Sequence, residues 1–384
     1  MLIAISAYGE DKLGIIHTIS KALASCNANI VDIEQAVFQG IFAMFIVAEA
    51  SDISCIEKKM EEVSRNLNLK ISLNLFERKE SRKKRLFIVN VLGRDRVGIV
   101  RDITAIFLKH GINIERTSLT ARDKLIAIEF IVDLCDSDLQ TLKMELMREG
   151  ERLELDIVIQ DYETATKEKR LIVFDLDSTL IEVEIIDELA KEADVEEEVK
   201  ELTKKAMNGE MSFKEALEER VKLLQGLPIE VLEKIYSRIE FTEGARELIS
   251  ALKRCGYKVA LVSGSFTYFT NRIKDELGLD YAFGNELEIV DGKLTGKIKG
   301  RIVDAEEKAR IIEEIAMKEG ISLDKVVAVG DGANDRLMIE KAGLGIAFNA
   351  KQILKEIADG SISKNNFIGI AGILKLPSEF KKRL

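Results

Sequence analysis

The sequence predicts two small α+β modules in tandem, followed by a doubly wound α/β domain that carries a helical cap. Three observations predict it. Residues 1–165 hold an internal repeat, the pattern then changes to short apolar strands alternating with amphipathic helices, and a long helical insertion follows the first of those strands. At 384 residues the chain suits two or three cores better than one.

In the repeat, Gly9-Glu10-Asp11-Lys12-Leu13-Gly14-Ile15 matches Gly93-Arg94-Asp95-Arg96-Val97-Gly98-Ile99 at a constant offset of 84. The same offset carries Ile16, Ile19 and Leu23 onto Val100, Ile103 and Phe107, an i, i+3, i+7 apolar stripe in each copy. It also carries Asn29-Ile30 onto Asn113-Ile114, and Phe45-Ile46-Val47 is matched to Phe130-Ile131-Val132 after one extra residue. Each copy reads strand, helix, strand, strand, helix, strand. In the first these are Leu2–Tyr8, Leu13–Ser25, Asn29–Ala36, Ile41–Glu49, Ile53–Asn66 and Lys70–Phe76. That order is the split βαβ, ferredoxin-like arrangement. Charged stretches at Glu77–Arg85 and Asp161–Arg170 read as solvated linkers. The expected domains are therefore 1–78, 85–163 and 170–384, with the helical cap at about 186–240.

In the last domain the clearest strands are Leu171–Phe174, Lys258–Ser263 and Val326–Val329. Such continuous apolar runs are the mark of buried parallel strands.

Composition narrows the function. A net charge of -10 argues against a nucleic-acid backbone binder. No apolar run approaches the ~18 residues of a membrane span, and the first residues, MLIAISAYGEDK, lack signal-peptide organisation. A cytoplasmic setting without nucleic-acid or membrane partners is expected. Cys26, Cys55, Cys135 and Cys255 form no CxxC pair and read as buried thiols rather than a zinc or redox site. Only His17 and His110 are available, so any acid, base or nucleophile is expected to be a carboxylate. Abundant Glu and Lys with no Trp resembles a thermophile's composition.

Each of the three strands runs into a polar cluster: Asp175-Leu176-Asp177-Ser178-Thr179, Ser263-Gly264-Ser265 and Gly330-Asp331-Gly332-Ala333-Asn334-Asp335, with Lys308 between the second and third. In open α/β sheets, ligands sit beyond the carboxyl ends of the strands. Alone, an Asp-x-Asp is ordinarily a cap or turn, and a lone Lys a surface charge. Together they have what hydrolysis of a dianionic phosphate monoester requires. Asp175 is the carboxylate nucleophile, and Asp177 protonates the leaving alkoxide and then activates water. Mg²⁺, a hard cation suited to oxygen ligands, would be held by Asp175 and Asp331, while Ser263 and Lys308 face the phosphate oxygens.

These four segments resemble the motifs of the haloacid dehalogenase superfamily, most closely its phosphoserine phosphatases, over Leu171 to the carboxyl end. The resemblance implies Asp175 as nucleophile, Asp177 as acid and base, and Ser263, Gly264, Lys308 and Asn334 on phosphate. It further implies Mg²⁺ on Asp175, the Asp177 carbonyl and Asp331, with Asp335 as a supporting carboxylate. An amino-acid phosphate also presents an ammonium and a carboxylate, which Glu184 and the Arg220 fork would pair. Segments Glu184–Glu188, Met207–Phe213 and Glu219–Val221 resemble that family's substrate-binding cap segments, implying roles for Glu184, Met207, Phe213 and Arg220. Thr242-Glu243-Gly244 departs from the family, where Pro is common at the middle position, and affects a turn. Asp291-Gly292 reads as a hairpin turn, a flap beside the site.

The tandem repeat resembles a pair of ACT domains, modules that commonly bind amino acids. The matching ligand positions are Asp11, Gly14 and Asn29, and Asp95, Gly98 and Asn113. The expected activity is hydrolysis of O-phosphoserine in the last step of serine synthesis. Serine is the expected effector, and assembly into a homodimer or larger through the repeats is expected. Rival readings are another small-molecule phosphatase or phosphotransferase, or an amino-acid sensor with a vestigial catalytic domain.

Overall fold

The computed structural model describes residues 1–77, 82–122, 126–167, 170–363, 367 and 369–376. Parts of both expected linkers and the last residues of the final domain lie outside them. Contacts divide the chain into two compact units, Met1–Lys83 and Lys84–Leu384.

The first unit comprises β1 (Leu2–Glu10), α1 (Ile15–Ser25), β2 (Asn29–Phe38), β3 (Ile41–Glu49), α2 (Ile53–Leu67) and β4 (Lys70–Phe76). The antiparallel order β2-β3-β1-β4 is the ferredoxin-like arrangement expected. Gly14 caps α1 at φ 90°, a left-handed conformation that costs glycine little. The expected stripe holds at Ile19 and Leu23 but not at Ile16, which is exposed, as is its counterpart Val100. Ile15 and Ile99 turn inward in their place, and Ile15, Ile19 and Leu23 pack on Ile3, Ile5, Phe42, Met44 and Ile46. One expectation is overturned here: Cys26 and Cys55 form a disulfide rather than standing as thiols, while Cys135 and Cys255 remain thiols, half-buried rather than buried. The pair is 29 residues apart in sequence, but Cys26 closes α1 and Cys55 opens α2, helices that lie together on the sheet, with the two Cα atoms 5.8 Å apart.

The second unit opens with the second repeat: β5 (Leu86–Gly93), α3 (Ile99–Lys109), β6 (Asn113–Arg122), β7 (Ile126–Asp133), α4 (Leu139–Leu153) and β8 (Leu155–Asp161). Strand register corrects the sequence alignment. Ser6 faces Phe45 across β1 and β3, and Asn90 faces Glu129 across β5 and β7. Phe45 therefore corresponds to Glu129 at the original offset of 84, without the extra residue. A one-residue slip moves every side chain to the other face. Phe45 is accordingly 66% exposed, whereas Phe130 is buried edge-on against Phe107, ring centres 5.5 Å apart. The stretch expected to be a solvated linker instead forms α5 (Tyr162–Thr166), capped by the Asp161 carboxylate accepting from Thr164 N–H at 3.0 Å, against β5 and β8.

Then come β9 (Leu171–Phe174) and the cap helices α6 (Ile185–Glu192), α7 (Glu196–Met207), α8 (Phe213–Leu223) and α9 (Glu230–Tyr236). The core resumes with α10 (Ala245–Arg254), β10 (Lys258–Phe266), α11 (Thr267–Leu277), β11 (Tyr281–Val290), β12 (Lys293–Lys299), α12 (Ala305–Glu319) and β13 (Val326–Gly330). It ends with α13 (Arg336–Lys341), β14 (Leu344–Phe348), α14 (Gln352–Ile357), β15 (Gly360–Ile362) and α15 (Gly369–Ile373). Strands β11-β10-β9-β13-β14-β15 are parallel, with β12 antiparallel at the edge. The β11–β12 hairpin turns at Asp291-Gly292 and is fastened to the cap, since Gly226 and Ile229 donate to the carbonyls of Leu294 and Gly292 at 2.8 and 2.9 Å.

The sheet does not stop at β15. Gly360 pairs with Val158, and Ile159 N–H donates to Asp359 C=O at 2.8 Å, so β8-β5-β7-β6 continue it into one eleven-stranded sheet among the described residues. Leu92, Ala127 and Val158 of the repeat share a core with Phe367, Ile370, Ile373 and Leu376. Polar ties flank them: Lys143 donates to Ile357 C=O at 3.2 Å, Lys375 meets Glu129 at 2.9 Å, and the Asp156 carboxylate accepts from Ser363 N–H and Oγ at 3.0 and 2.9 Å. Among the described residues no helix is long and apolar enough to cross a membrane.

Candidate active site

Strand β9 lies between β10 and β13, so the three polar clusters emerge side by side from adjacent carboxyl ends. Asp175 N–H donates to Val329 C=O at 2.9 Å, extending the β9–β13 register into the site. The chain then kinks, with Asp177 extended at ψ 133° and Ser178 in the left-handed region at φ 56°.

The centre is a buried ion triad. Lys308, 0% exposed on α12, donates to Asp175 Oδ1 and to Asp335 Oδ1, each at 2.7 Å. Asp335 Oδ2 accepts from Asp331 and Gly332 N–H at 3.1 and 3.0 Å, closing the Gly-rich turn. A Cβ on Gly330 would lie 2.4 Å from the Asp335 carboxylate, so only glycine lets that carboxylate tuck under the turn. Ser263 Oγ accepts from Ser265 N–H at 3.0 Å, leaving its hydrogen to point elsewhere. Phe213 of the cap stands over Gly264, 3.0 Å from where a Cβ would sit, with Asn334 Nδ2 at 3.9 Å from the same point.

Crowded carboxylates perturb one another. Burial, then repulsion from Asp335, pushes Asp175 up to about 7 against the pull of Lys308. Burial and the charges of Asp175 and Asp335 push Asp331 up to about 8. Asp177 is raised well above the usual carboxylate range by burial and by Glu184 and Asp175; its Oδ1 accepts from Ile185 N–H at 3.2 Å. Burial would lower Lys308, but its two carboxylate partners hold it above the ordinary lysine value. Asp175, Asp331 and Asp335 offer oxygens within 4.8 Å of one another, a donor set of hard anions in want of a cation. Both Asp335 oxygens already accept bonds, which leaves Asp175 and Asp331 as the carboxylates free to turn to a metal.

The cap adds the remaining expected residues. Glu184, exposed at the start of α6, accepts from Ser178 Oγ at 2.8 Å. Arg220 on α8 is buried, at 9% exposure, and lies in the electrostatic reach of Asp187, Glu184 and Asp177. Met207 ends α7, and its side chain lies outside the described residues. In the repeats, Gly14 and Gly98 cap matching helices at φ 90° and 103°, and Asn29 and Asn113 open matching strands. Asp11 N–H donates to Gly40 C=O at 2.8 Å, and Asp95 sits on the equivalent loop.

Sequence reasoning passed over Ser178 and Asn285. Asn285, wholly buried on β11, donates to Gly264 C=O at 2.6 Å and accepts from Val303 N–H at 2.8 Å. It ties the Ser263-Gly264-Ser265 segment to the stretch that leads into Lys308. A polar residue inside an apolar strand was its only signal.

A haloacid dehalogenase-like hydrolase model matches residues 172–340, and ACT domain models match 1–74 and 87–151. Over 344 residues the chain is 66% identical to the phosphoserine phosphatase of Archaeoglobus fulgidus, covering 90% of this chain and 100% of that protein. It is 55% identical over 209 residues to the phosphoserine phosphatase of Methanocaldococcus jannaschii, 54% of this chain and 99% of that one. Among solved structures it resembles a probable phosphoserine phosphatase from Vibrio cholerae, unliganded, with TM-score 0.58 and 32% identity over 77% of this chain and 89% of that one. The chain therefore belongs to the phosphoserine phosphatases of the haloacid dehalogenase-like hydrolases, with two ACT domains ahead of the hydrolase fold.

Proposed function

We propose that this chain hydrolyses O-phosphoserine to serine and phosphate through an aspartyl-phosphate on Asp175, the last step of serine synthesis. The observation that carries the mechanism is the buried Asp175–Lys308–Asp335 triad at the carboxyl ends of the central strands, with Asp177 two residues along from the nucleophile. The names borne by close relatives support the substrate.

An Asp175 carboxylate oxygen attacks phosphorus as the ester oxygen leaves. Asp177, whose environment favours its protonated form, gives that oxygen its proton. Now a base, Asp177 takes a proton from water, whose oxygen attacks phosphorus and frees phosphate and the Asp175 carboxylate. Lys308, Ser263 and Asn334 face the phosphate oxygens, beside the Gly264 backbone. Asp175 and Asp331 offer the carboxylates that would hold Mg²⁺, with the Asp177 carbonyl as a further ligand, and the ion would neutralise phosphate charge. Phe213 excludes water above Gly264, and Glu184, Met207 and Arg220 receive the amino-acid end.

Turnover of O-phosphoserine with Mg²⁺, with chelator, and in Asp175→Asn tests this reading. Activity is expected to vanish in the last two; full activity in Asp175→Asn excludes the covalent route and the reading with it. Serine is the proposed effector at Asp11, Gly14 and Asn29 and at Asp95, Gly98 and Asn113, tested by calorimetric titration of the full chain. Assembly through the repeats is tested by light scattering.

A further inference from the structure

Arg220 carries five N–H donors into a buried setting, where each needs an acceptor. Among the described residues its own chain supplies two. Nε donates to Ala216 C=O at 3.2 Å, one turn back on α8, and Nη1 donates across to Thr203 Oγ1 on α7 at 3.4 Å. The Thr203 hydroxyl donates in turn to Val199 C=O at 2.9 Å. With its hydrogen spent there, Thr203 Oγ1 can meet Arg220 only as an acceptor.

This relay fixes the guanidinium plane. With Nε engaged and one hydrogen of Nη1 turned to α7, the other Nη1 hydrogen and those of Nη2 form the end-on fork that a carboxylate accepts through two parallel bonds. We infer that Thr203 is a positioning residue, holding Arg220 in the orientation that receives the carboxylate of an amino-acid phosphomonoester and so helping to select that substrate class. The inference rests on the substrate reading above. Asp187, half-buried on α6, supports it electrostatically. Its charge is the strongest of those that offset the burial of Arg220, so the cation is compensated while its outer fork remains for substrate.

A threonine hydroxyl bonded to the carbonyl four residues back is ordinary in helices and by itself implies no role. The test must separate positioning from stability. Wild type, Thr203→Val and Thr203→Ser are compared on O-phosphoserine and on O-phosphoethanolamine, which keeps the phosphate and ammonium but lacks the carboxylate, with thermal melting alongside. Thr203→Val is expected to raise KM for O-phosphoserine about tenfold with kcat within about twofold. KM for O-phosphoethanolamine should stay unchanged, and Thr203→Ser should restore the wild-type value for O-phosphoserine. Equal changes in both KM values, or no change in either, overturn the role of Thr203 while the substrate reading stands. A wild type that does not prefer O-phosphoserine overturns the reading and the inference together. Should Thr203→Val not fold, Thr203→Ala gives the same two-substrate comparison.

Discussion

Lys308 shows how much one side chain can hold. It is a full charge without solvent contact, stable because two carboxylates accept its hydrogen bonds at 2.7 Å. Breaking such a buried group by removing one partner typically costs about 3–5 kcal/mol. Lys308→Met should lose that much in denaturant unfolding and lose turnover too. Asn285→Ala leaves the Gly264 carbonyl and Val303 N–H unpaired in the core; a stability loss of about 1–3 kcal/mol is expected, with a larger relative fall in kcat/KM. The carboxylates also make a pH prediction for the metal-free protein. Asp175 and Asp331 bind protons more tightly folded than unfolded, so their contribution is full below about pH 4 and lost as pH rises through about 7 to 8. Melting in chelator should therefore weaken across that window, and added Mg²⁺ should raise Tm more at pH 8 than at pH 5. Asp175, Asp177 and Asp331 were legible because each follows an apolar strand, and Lys308, on α12, was legible only as the basic residue lying between two such clusters in sequence. Asn285 and Thr203 were not, since they act through backbone and side-chain neighbours that only folding brings near.

Among the elements, the strand-end clusters and the helical cap followed directly from apolar periodicity, and the first repeat's strands and helices matched it within a few residues. Two errors came from reading strings rather than faces. Phe45-Ile46-Val47 and Phe130-Ile131-Val132 look alike, yet they lie one residue out of step on their sheets. Cys26 and Cys55 look unrelated at a spacing of 29, yet α1 and α2 bring them together. Cross-linking a loop of that length restricts the unfolded chain by roughly 3–4 kcal/mol. Cys26→Ser is expected to lower the stability of the first unit by about that amount, measured by hydrogen exchange in residues 1–76.

At the scale of the whole chain, the domain pattern in sequence and the compact bodies in space differ. Two similar repeats behave differently: the second shares a sheet and a core with the hydrolase fold, and the first is a unit of its own. Nothing local announces this. The joining strand β15 is three residues long, and its pairing depends on Gly360, where a Cβ would fall 2.3 Å from Val158 Cγ2. Residues 84–384 are expected to fold and turn over without the first repeat. Residues 170–384 should melt lower and bind an apolar dye, because Phe367, Ile370, Ile373 and Leu376 lose the partners that Leu92, Ala127 and Val158 supply. Gly360→Val should approach the same state in the intact chain, read as a fall in Tm.

That shared sheet also sets an order of events during synthesis. The ribosome releases β5 to β8 some two hundred residues before β15 and α15, counting from Asp161 to Gly360. Through that interval Leu92, Ala127 and Val158 have no cover from the chain that will bury them. A segment translated long after it thus completes the second repeat, and a message cut short before β15 leaves that repeat with an apolar face bare.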